Sequence, residues 1–533
     1  MPICLSTYAP ARDGLTDSSE ALRACFAAAA AESNPTVVIE AGRYLVDTTE
    51  PIALGSHLTV RAEGAVFLFP QQLGDCRHRQ LFVGENVEEI AWYGGHFVGY
   101  VYDPSSATNV WEPSDYTGCI RIHTRGEGAV RRVLFRDLTA ENVAGAVIHV
   151  RGRNDCYAEG VDVRDCRFEN CGKFMWDYGY LWQRAVFASE YDPQTVENAF
   201  RYLPKAHISS PLRLEDGRLF ADVMPKAMPE ERDAVSFFGE ELPSGIKRGK
   251  QYFVLNKGAE NGLQISETEF GEPLVLTDMP DGTRLFRNMF YLFHDLFSPV
   301  GTTAHEKGSV DVTKCRNVTI SGCNLSASGD SMHILECENV LFSGNRITGA
   351  RMGAFYIGFY CKNVTAIGNT VYGTNGSRVM SVERSCENVV VSGNLFVGGG
   401  RGSWINQPKN IVISDNVFIR NTQKCTADLQ IGRICQATGD FERYPELYFT
   451  TWQPDATYGP IIVRGNIFET DETASAAIAF NAGGRDILLD GNILRGEMRD
   501  IHVANGCQLP LMRDNIGFGP ILDRTFVNTA NVR

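Results

Sequence analysis

The 533-residue chain lacks any run of basic residues, and its 50 Lys and Arg are outnumbered by 64 Asp and Glu. The formal net charge is −14 at pH 7. Because nucleic-acid binding needs a clustered basic surface that neutralises phosphates, this composition argues against a nucleic-acid partner. The acidic excess instead favours good solubility and a ligand that is neutral or recognised locally.

No hydrophobic stretch approaches the roughly 18 residues that a membrane-spanning helix requires. The N-terminal sequence MPICLSTYAPARDG also lacks the basic segment and following apolar segment of a signal peptide. We therefore expect no membrane association. For the sequence as it stands we expect a cytoplasmic location, with secretion left open if a leader has been removed.

Fifteen cysteines are present, but none of them forms a C-x-x-C pair. Zinc-binding and thioredoxin-like sites are therefore not indicated, and we expect neither a metal nor a cofactor. Four cysteines recur at one place in the repeat described next: Cys315, Cys337, Cys361 and Cys386. We interpret them as an inward-facing stack of small apolar thiols rather than a redox or metal site, because no ligand geometry is apparent.

One short phrase recurs from Asn317 onward, as NVTISGCNL, NVLFSGNRI, NVTAIGNTV, NVVVSGNLF and NIVISDNVF, followed by IIVRGNIF and ILLDGNIL. Its second asparagine falls at Asn324, Asn345, Asn369, Asn394 and Asn416, and then at Asn466, Asn492 and Asn515. Each unit has period-2 patterning and no helix, so it cannot bury an apolar face alone. Stacked coils remove that problem, which predicts an all-β, right-handed parallel β-helix with an asparagine ladder at one bend.

The repeats divide the chain into three parts. Residues 1–183 hold an N-terminal capping helix, predicted from DGLTDSSEALRACFAAAA, and the first coils. Residues 184–304 form an insertion with a small β module at about 234–286, and residues 305–533 hold the main coils. The gap from Asn416 to Asn466 is either two coils or one coil with a long loop. We expect the insertion and the aromatic loop at 435–459 to wall a binding cleft.

The opening segment resembles the start of many pectin-lyase-like β-helix proteins. The stretch SVDVTKCRNVTISGCNLSASGDSMHI is similar to the core of the polygalacturonases, and the coils from Asp330 to Asn369 resemble inulin fructotransferases and difructose-anhydride hydrolases. The resemblance implies the β-helix fold, a carbohydrate substrate and a role for Asp330. The chain departs from the polygalacturonase pattern, because Glu306, Lys307 and Gly308 replace N-T-D-G and Ser331 replaces the second aspartate. The G-H-G and R-x-K motifs are absent as well, which argues against a polygalacturonase itself.

Strand alternation predicts which side chains leave the third strand of each coil. If Val310, Val312, Met332 and Ile334 point inward, then Asp311 and His333 point outward, with Tyr356, Ser381 and Glu383 in equivalent places. Adjacent coils lie about 4.8 Å apart, so these side chains would form one polar column on the floor of the principal cleft. We place Asp330 in the preceding turn, beside His333. The candidate catalytic residues are Asp330, Asp311, His333 and Glu383, because paired carboxylates with a histidine suit acid/base cleavage of a glycosidic bond.

The candidate substrate-binding residues are arginines and aromatic residues. Arg351, Arg378 and Arg401 occupy matching turns of successive coils and would either grip a carboxylated sugar or neutralise nearby acids. Aromatic rings that stack on sugars are predicted with Tyr356 and in the segment holding Trp176, Asp177, Tyr178 and Trp182, and in the later loop at Trp452. Some of these rings are expected to pack beneath the insertion instead.

These patterns favour a glycoside hydrolase or an intramolecular glycosyl-transferring enzyme acting on an oligo- or polysaccharide. A polysaccharide lyase or epimerase is the alternative, with Lys314, Arg351 or Arg378 as candidate bases. A non-enzymatic glycan-binding fibre or adhesin is the third reading, and homo-oligomerisation as a trimer stays open. The sugar, the linkage and the stereochemistry are not determined by these residues.

Overall fold

The computed structural model describes residues 1–47, 50–69, 78–99, 116–143, 145–153, 156–172, 211–221, 234–247, 252–256, 262–267, 271–287, 308–327, 330–350, 353–373, 378–422, 444–451 and 456–523, with positions 229, 231 and 258. Within these ranges the β-helix prediction is confirmed. The strands form three long parallel sheets in which each strand pairs with its counterpart one coil further along the chain. Parallel connections of this kind are right-handed in almost all proteins.

Sheet 1 begins each coil, and its strands hold most of the recurring phrase. Its strands are Ile3–Cys4, Thr36–Val38, Thr59–Arg61, Glu88–Tyr93, Val130–Arg136, Ala158–Arg164, Cys315–Ser321, Glu338–Ser343, Lys362–Ile367, Glu387–Ser392, Lys409–Ser414, Ile461–Arg464, Ile487–Asp490 and Leu511–Arg513.

Sheet 2 follows the asparagine bend. Its strands are Asp13–Asp17, Gly42–Leu45, Ala65–Leu68, His96–Val98, Thr139–Glu141, Arg167–Glu169, Asn324–Ser326, Arg346–Thr348, Thr370–Tyr372, Leu395–Val397, Val417–Ile419, Ile467–Thr470 and Ile493–Gly496.

Sheet 3 completes each coil and carries the candidate site. Its strands are Ile52–Ala53, His78–Glu85, Tyr116–His123, Ile148–Arg151, Gly308–Thr313, Asp330–Leu335, Gly353–Gly358, Met380–Glu383, Ser403–Asn406, Leu447–Thr450, Ile478–Phe480, Ile501–Val503 and Ile521–Asp523.

The stack continues across both long interruptions. Strand Ile148–Arg151 pairs directly with Gly308–Thr313, so the coil before the insertion lies against the coil after it. Strand Val417–Ile419 likewise pairs with Ile467–Thr470. The interval from Asn416 to Asn466 is therefore a single coil with a long intervening segment, not two coils.

The N-terminal end is covered by a short helical cap, as predicted. A 3-10 helix spans Leu5–Tyr8 and an α-helix spans Ser19–Ala30. The α-helix buries Leu22, Cys25, Phe26 and Ala29, and the ring of Phe26 lies 5.3 Å from that of Phe82 in the first complete coils. This packing covers the open end of the apolar core, which a bare first coil would expose.

Outside the stack, the described part of the insertion forms two small antiparallel sheets. One pairs Leu212–Glu215 with Arg218–Ala221, and the other contains Ala234–Phe238, Tyr252–Leu255, Gln264–Ser266 and Arg284–Arg287. Their apolar side chains form a separate core around Val235, Phe237 and Tyr252. The small β module thus has its own hydrophobic interior.

A ladder of buried asparagines follows the bend between sheets 1 and 2. Each side-chain oxygen accepts hydrogen bonds from the preceding ladder residue, as between Asn345 and Asn369 at 3.0 Å from the backbone and 2.9 Å from the amide. The ladder continues through Asn394, Asn416, Asn466, Asn492 and Asn515. The prediction of Asn324 as a member is wrong. Cys323 occupies that position and donates its backbone N–H to Asn345, while Asn324 pairs with Arg346 one place later.

The cysteine stack also has the predicted character. Cys315, Cys337, Cys361 and Cys386 are fully buried free thiols inside the coil. The backbone N–H of Cys315 lies 3.4 Å from the sulfur of Cys337, and that of Cys337 lies 3.3 Å from the sulfur of Cys361. No cluster of metal-ligating side chains occurs within the described ranges. No described helix is long and apolar enough to cross a membrane.

A second row of polar residues runs along the outer surface of sheet 1, and its charges alternate. Register pairs place the following side chains next to one another in successive coils: Glu88, Arg131, Glu159, Arg316, Glu338, Lys362, Glu387 and Lys409. Arg131 lies 2.8 Å from Glu88, and Arg316 lies 2.9 Å from Glu338. We call these eight residues the charge row.

Candidate active site on the outer face of sheet 3

One register column on the outer side of sheet 3 contains three of the predicted site residues, Asp311, His333 and Tyr356. From coil to coil it holds Arg121, His149, Asp311, His333, Tyr356, Ser381, Trp404, Tyr448, Ala479 and His502. We call this set the outer column. The alternation prediction is confirmed, because Val310, Val312, Met332 and Ile334 belong to the core inside the coil. Asp311 and His333 therefore leave the opposite side of the sheet.

Asp311 and His333 contact each other directly. Asp311 Oδ2 lies 3.0 Å from His333 Nδ1, and the Thr313 hydroxyl donates to Asp311 Oδ1 at 3.2 Å. A carboxylate at Nδ1 fixes the orientation of an imidazole and leaves Nε2 as the position for proton exchange. This geometry gives His333 the arrangement of a positioned general acid or base.

The expectation that this pair lies open on a cleft floor is wrong. The His333 side chain is 3% exposed and that of Asp311 is 0% exposed. Thr313 and Tyr356 contact the pair within the sheet, so solvent does not reach it from these sides. Solvent reaches the neighbouring coils instead, where Tyr356 is partly exposed.

Tyr356 covers His333 from the next coil. The two ring centroids are 5.0 Å apart with an interplanar angle of 32°. Gly358 makes room for the phenol ring, because a Cβ at that position would lie 2.4 Å from Tyr356 Cε1. Any larger residue at 358 would displace the ring, so this glycine helps to set the edge of the site.

Arg378 and Glu383 form an ion pair in the following coil, with each side chain 15% exposed. The guanidinium also lies 4.0 Å from the ring centre of Trp404 and 3.4 Å from the Ser381 hydroxyl. Of the two roles predicted for Arg378, neutralisation of Glu383 is therefore the one that the structure displays. Glu383 lies three coils from Asp311, about 14 Å at the spacing of parallel strands. Catalytic carboxyl pairs lie about 5 to 9.5 Å apart, so these two cannot serve one glycosidic bond together.

Several predicted residues lie outside the described ranges: Arg351, Trp176, Asp177, Tyr178, Trp182 and Trp452. For Asp330 only the backbone is described. It begins strand Asp330–Leu335 and pairs with Gly308 and Gly353, so it belongs to the strand rather than to a preceding turn.

Sequence reasoning missed an aromatic group further along the outer column. Trp404 is 1% exposed and contacts Tyr448 edge-on, with ring centroids 5.1 Å apart. Tyr444, Ala476 and Ala479 complete a small apolar cluster separate from the coil interior. The same alternation that located His333 applies to SWIN at 403–406 and to IHVR at 148–151. The positions of Trp404 and His149 on the outer face could therefore have been predicted from the sequence.

Glu446 is a buried acid at the start of strand Leu447–Thr450. It is fully buried and accepts hydrogen bonds from the backbone N–H and the side-chain amide of Asn421. Burial raises the pKa of Glu446 from its ordinary value of 4.5 to about 7, which outweighs the lowering effect of the Asn421 hydrogen bonds. Glu446 thus exchanges its proton near neutral pH.

Glu446→Gln is expected to flatten the dependence of stability on pH between about 4.5 and 7. The folded parent binds this proton more tightly than the unfolded chain does, so the parent loses stability as pH rises through this window. The loss reaches about 3 kcal/mol by pH 7 and levels off above about pH 8. Urea unfolding at several pH values measures the difference between parent and variant. Glu472→Gln, at an exposed site in the next coil, should follow the parent, and a parallel pH profile for Glu446→Gln would contradict the assignment.

Comparisons with known proteins address the fold. Residues 303–432 match the family model described as "Right handed beta helix region". No curated protein matches the chain. The solved structures that resemble it share little sequence.

Three of these structures show which kinds of protein share the fold and how similar they are to this chain. The surface adhesin PfbA of Streptococcus pneumoniae is 13% identical, with a TM-score of 0.45 over 98% of this chain and 93% of that one. A tailspike protein variant of Escherichia coli bacteriophage HK620, in complex with a pentasaccharide, is 13% identical, with a TM-score of 0.43 over 97% and 67%. The A-module of mannuronan C-5 epimerase AlgE4 of Azotobacter vinelandii is 10% identical, with a TM-score of 0.39 over 98% of each chain. The fold of this protein is the right-handed parallel β-helix.

Proposed function

We propose that this protein cleaves a glycosidic bond of an oligo- or polysaccharide on the outer face of sheet 3, with His333 transferring the proton. The observation that carries the proposal is the 3.0 Å contact between Asp311 and His333. An imidazole held by a buried carboxylate is an efficient group for general acid–base catalysis. Such a buried pair on the outside of a solenoid contributes nothing to the coil interior, which favours a functional role.

In a hydrolytic reaction the Nε2–H of His333 would protonate the leaving oxygen as the glycosidic C–O bond breaks. A water molecule would then add to the anomeric carbon and return a proton to Nε2, while Asp311 would hold the imidazole in place at Nδ1. Exclusion of water around the pair strengthens these charge interactions. Tyr356, Arg378 and Glu383 lie where solvent reaches the column and would contact the substrate, with the Tyr356 ring facing a sugar. Attack by a substrate hydroxyl in place of water would give an intramolecular glycosyl transfer.

A lyase or epimerase reaction is the second candidate, and the position of Tyr356 favours it. His333 lies between a carboxylate and a phenol ring, so a base lies beside a residue that can carry a second proton. Such a pair would abstract the proton next to a sugar carboxylate and deliver a proton to the other side or to the leaving oxygen. This assignment places the base at His333 rather than at Lys314, Arg351 or Arg378.

Product analysis over a panel of oligosaccharides, with and without a chelator, tests the proposal. A hydrolase gives new reducing ends without ultraviolet absorbance, whereas a lyase leaves an unsaturated sugar that absorbs. Binding of glycans without any product would support the glycan-binding fibre or adhesin instead. If a broad panel of oligosaccharides yields no product and shows no binding, the proposal of a carbohydrate ligand is wrong.

A further inference from the structure

Arg401 is a buried cation that forms no ion pair with any described residue. It is 7% exposed, and its Nε has no hydrogen-bond acceptor. Arg378, in the matching turn one coil earlier, contrasts with it because Glu383 neutralises Arg378. Burying an unpaired charge is costly, so such a group normally has a partner of opposite charge.

The turn that carries Arg401 is tightly held at both ends. The backbone N–H of Gly399 donates to Asn421 Oδ1 at 3.0 Å. Gly402 has a φ of +63°, and a Cβ there would lie 2.2 Å from the carbonyl oxygen of Pro445. These contacts fix the turn against the next coil, so Arg401 is positioned before any ligand arrives.

Trp404 provides a second donor three residues further along. Its indole Nε1 is buried and has no acceptor within the described part of the chain. The ring itself is held by the Arg378 guanidinium on its face and by Tyr448 at its edge. Guanidinium and indole N–H groups only donate hydrogen bonds, so both require an acceptor that this segment does not supply.

We propose that the segment Arg401–Trp404 forms a subsite for an oxyanion, the carboxylate or sulfate group of an acidic glycan. The planar guanidinium matches two oxygens of such a group, and the indole N–H supplies a further donor. The inference rests on the proposed function for the sugar to which the anion belongs. It extends that function by naming a charged substrate class and a residue that recognises it.

Calorimetric binding to the full chain tests this inference with three oligosaccharides of equal length: neutral, uronic-acid and sulfated. We expect at least one of the acidic probes to bind about tenfold or more tightly than the neutral one, and salt to weaken that preference. Arg401→Gln should abolish the preference and leave affinity for the neutral probe within about twofold of the parent. Comparison of the uronic-acid and sulfated probes identifies the source of the oxyanion.

Two further variants complete the test. Arg401→Lys keeps the charge but loses the two-pronged geometry, so we expect an intermediate preference, and it serves if Arg401→Gln does not fold. Arg384→Gln, at an exposed arginine in the preceding coil, should bind like the parent. Equal binding of neutral and acidic probes by the parent, or an undiminished preference in Arg401→Gln, overturns the inference and leaves the proposed function standing. Failure of all three probes to bind also overturns the inference, whereas the proposed function is overturned only by the broader panel.

Discussion

His333→Gln is expected to lower turnover by about 10² to 10⁴-fold on any accepted oligosaccharide, because the variant cannot transfer the proton. Glutamine retains a donor toward Asp311, so the variant should fold, with a stability loss of about 1 to 2 kcal/mol. Asp311→Asn should lose turnover in the same range, since the imidazole is no longer held by a charge. Steady-state kinetics and melting temperature measured on the same samples separate catalysis from folding.

Two controls make this result specific. His96→Gln removes another histidine that contacts a carboxylate, 3.3 Å from Glu141 on sheet 2, and should keep turnover within about twofold of the parent. Asp330→Asn tests the residue on which the family resemblances agree, and its essential role stays a prediction. A folded Asp330→Asn variant within about threefold of the parent would remove it from the mechanism. Parental turnover in His333→Gln together with loss in Asp330→Asn would move the centre away from the Asp311–His333 pair.

Asn394→Ala is expected to destabilise the protein by about 3 to 5 kcal/mol. The Asn394 side chain accepts from the Asn369 backbone and amide, at 2.8 and 2.9 Å, and donates to Ala366, Ser392 and Asn416. Alanine would leave several buried groups without partners, each costing about 1 to 3 kcal/mol. Chemical denaturation of the parent and variant measures this difference.

Asn388→Ala is the matched control for the ladder substitution. Asn388 lies in the same coil and also bonds to its counterparts, 2.9 Å to Asn363 and 2.8 Å from Asn410, but it is exposed. Water can replace those bonds, so we expect a loss of only about 1 kcal/mol, mostly from placing alanine at a φ of +55°. Equal losses in the two variants would show that burial does not set the strength of the ladder.

The fold could be predicted because its determinants are local in sequence. A strand that alternates, a bend marked by asparagine and the next short strand all fall within one unit of the repeat. The error at Asn324 arose because ladder members were identified by residue type, as the second asparagine of each phrase, and not by their register in the coil. There the phrase SGCNL shifts the asparagine one place beyond the bend, and Cys323 takes the ladder position without its hydrogen-bonding amide.

The candidate site could be predicted only in part. Alternation determines that Asp311 and His333 leave the same side of sheet 3, and the repeat determines that they are neighbours. Their burial depends on contacts between coils and on what packs against the outer face, which no local pattern encodes. For the same reason the sequence did not indicate Glu446 as a functional candidate, because its raised pKa comes from its burial and not from its neighbours in sequence.

The charge row and the asparagine ladder differ in how they respond to a change in the number of coils. Asparagine bonds to asparagine, so the ladder closes equally well after one coil is removed or added. The charge row responds differently to an odd and an even number of removed or added coils, because its charges alternate in sign from coil to coil. Excision of the coil that begins at Lys362 would bring Glu338 against Glu387, whereas excision of two coils would bring Glu338 against Lys409. Like charges directly opposite cost about 0.2 to 1 kcal/mol, so this solenoid should be shortened or lengthened more easily by pairs of coils than by single ones.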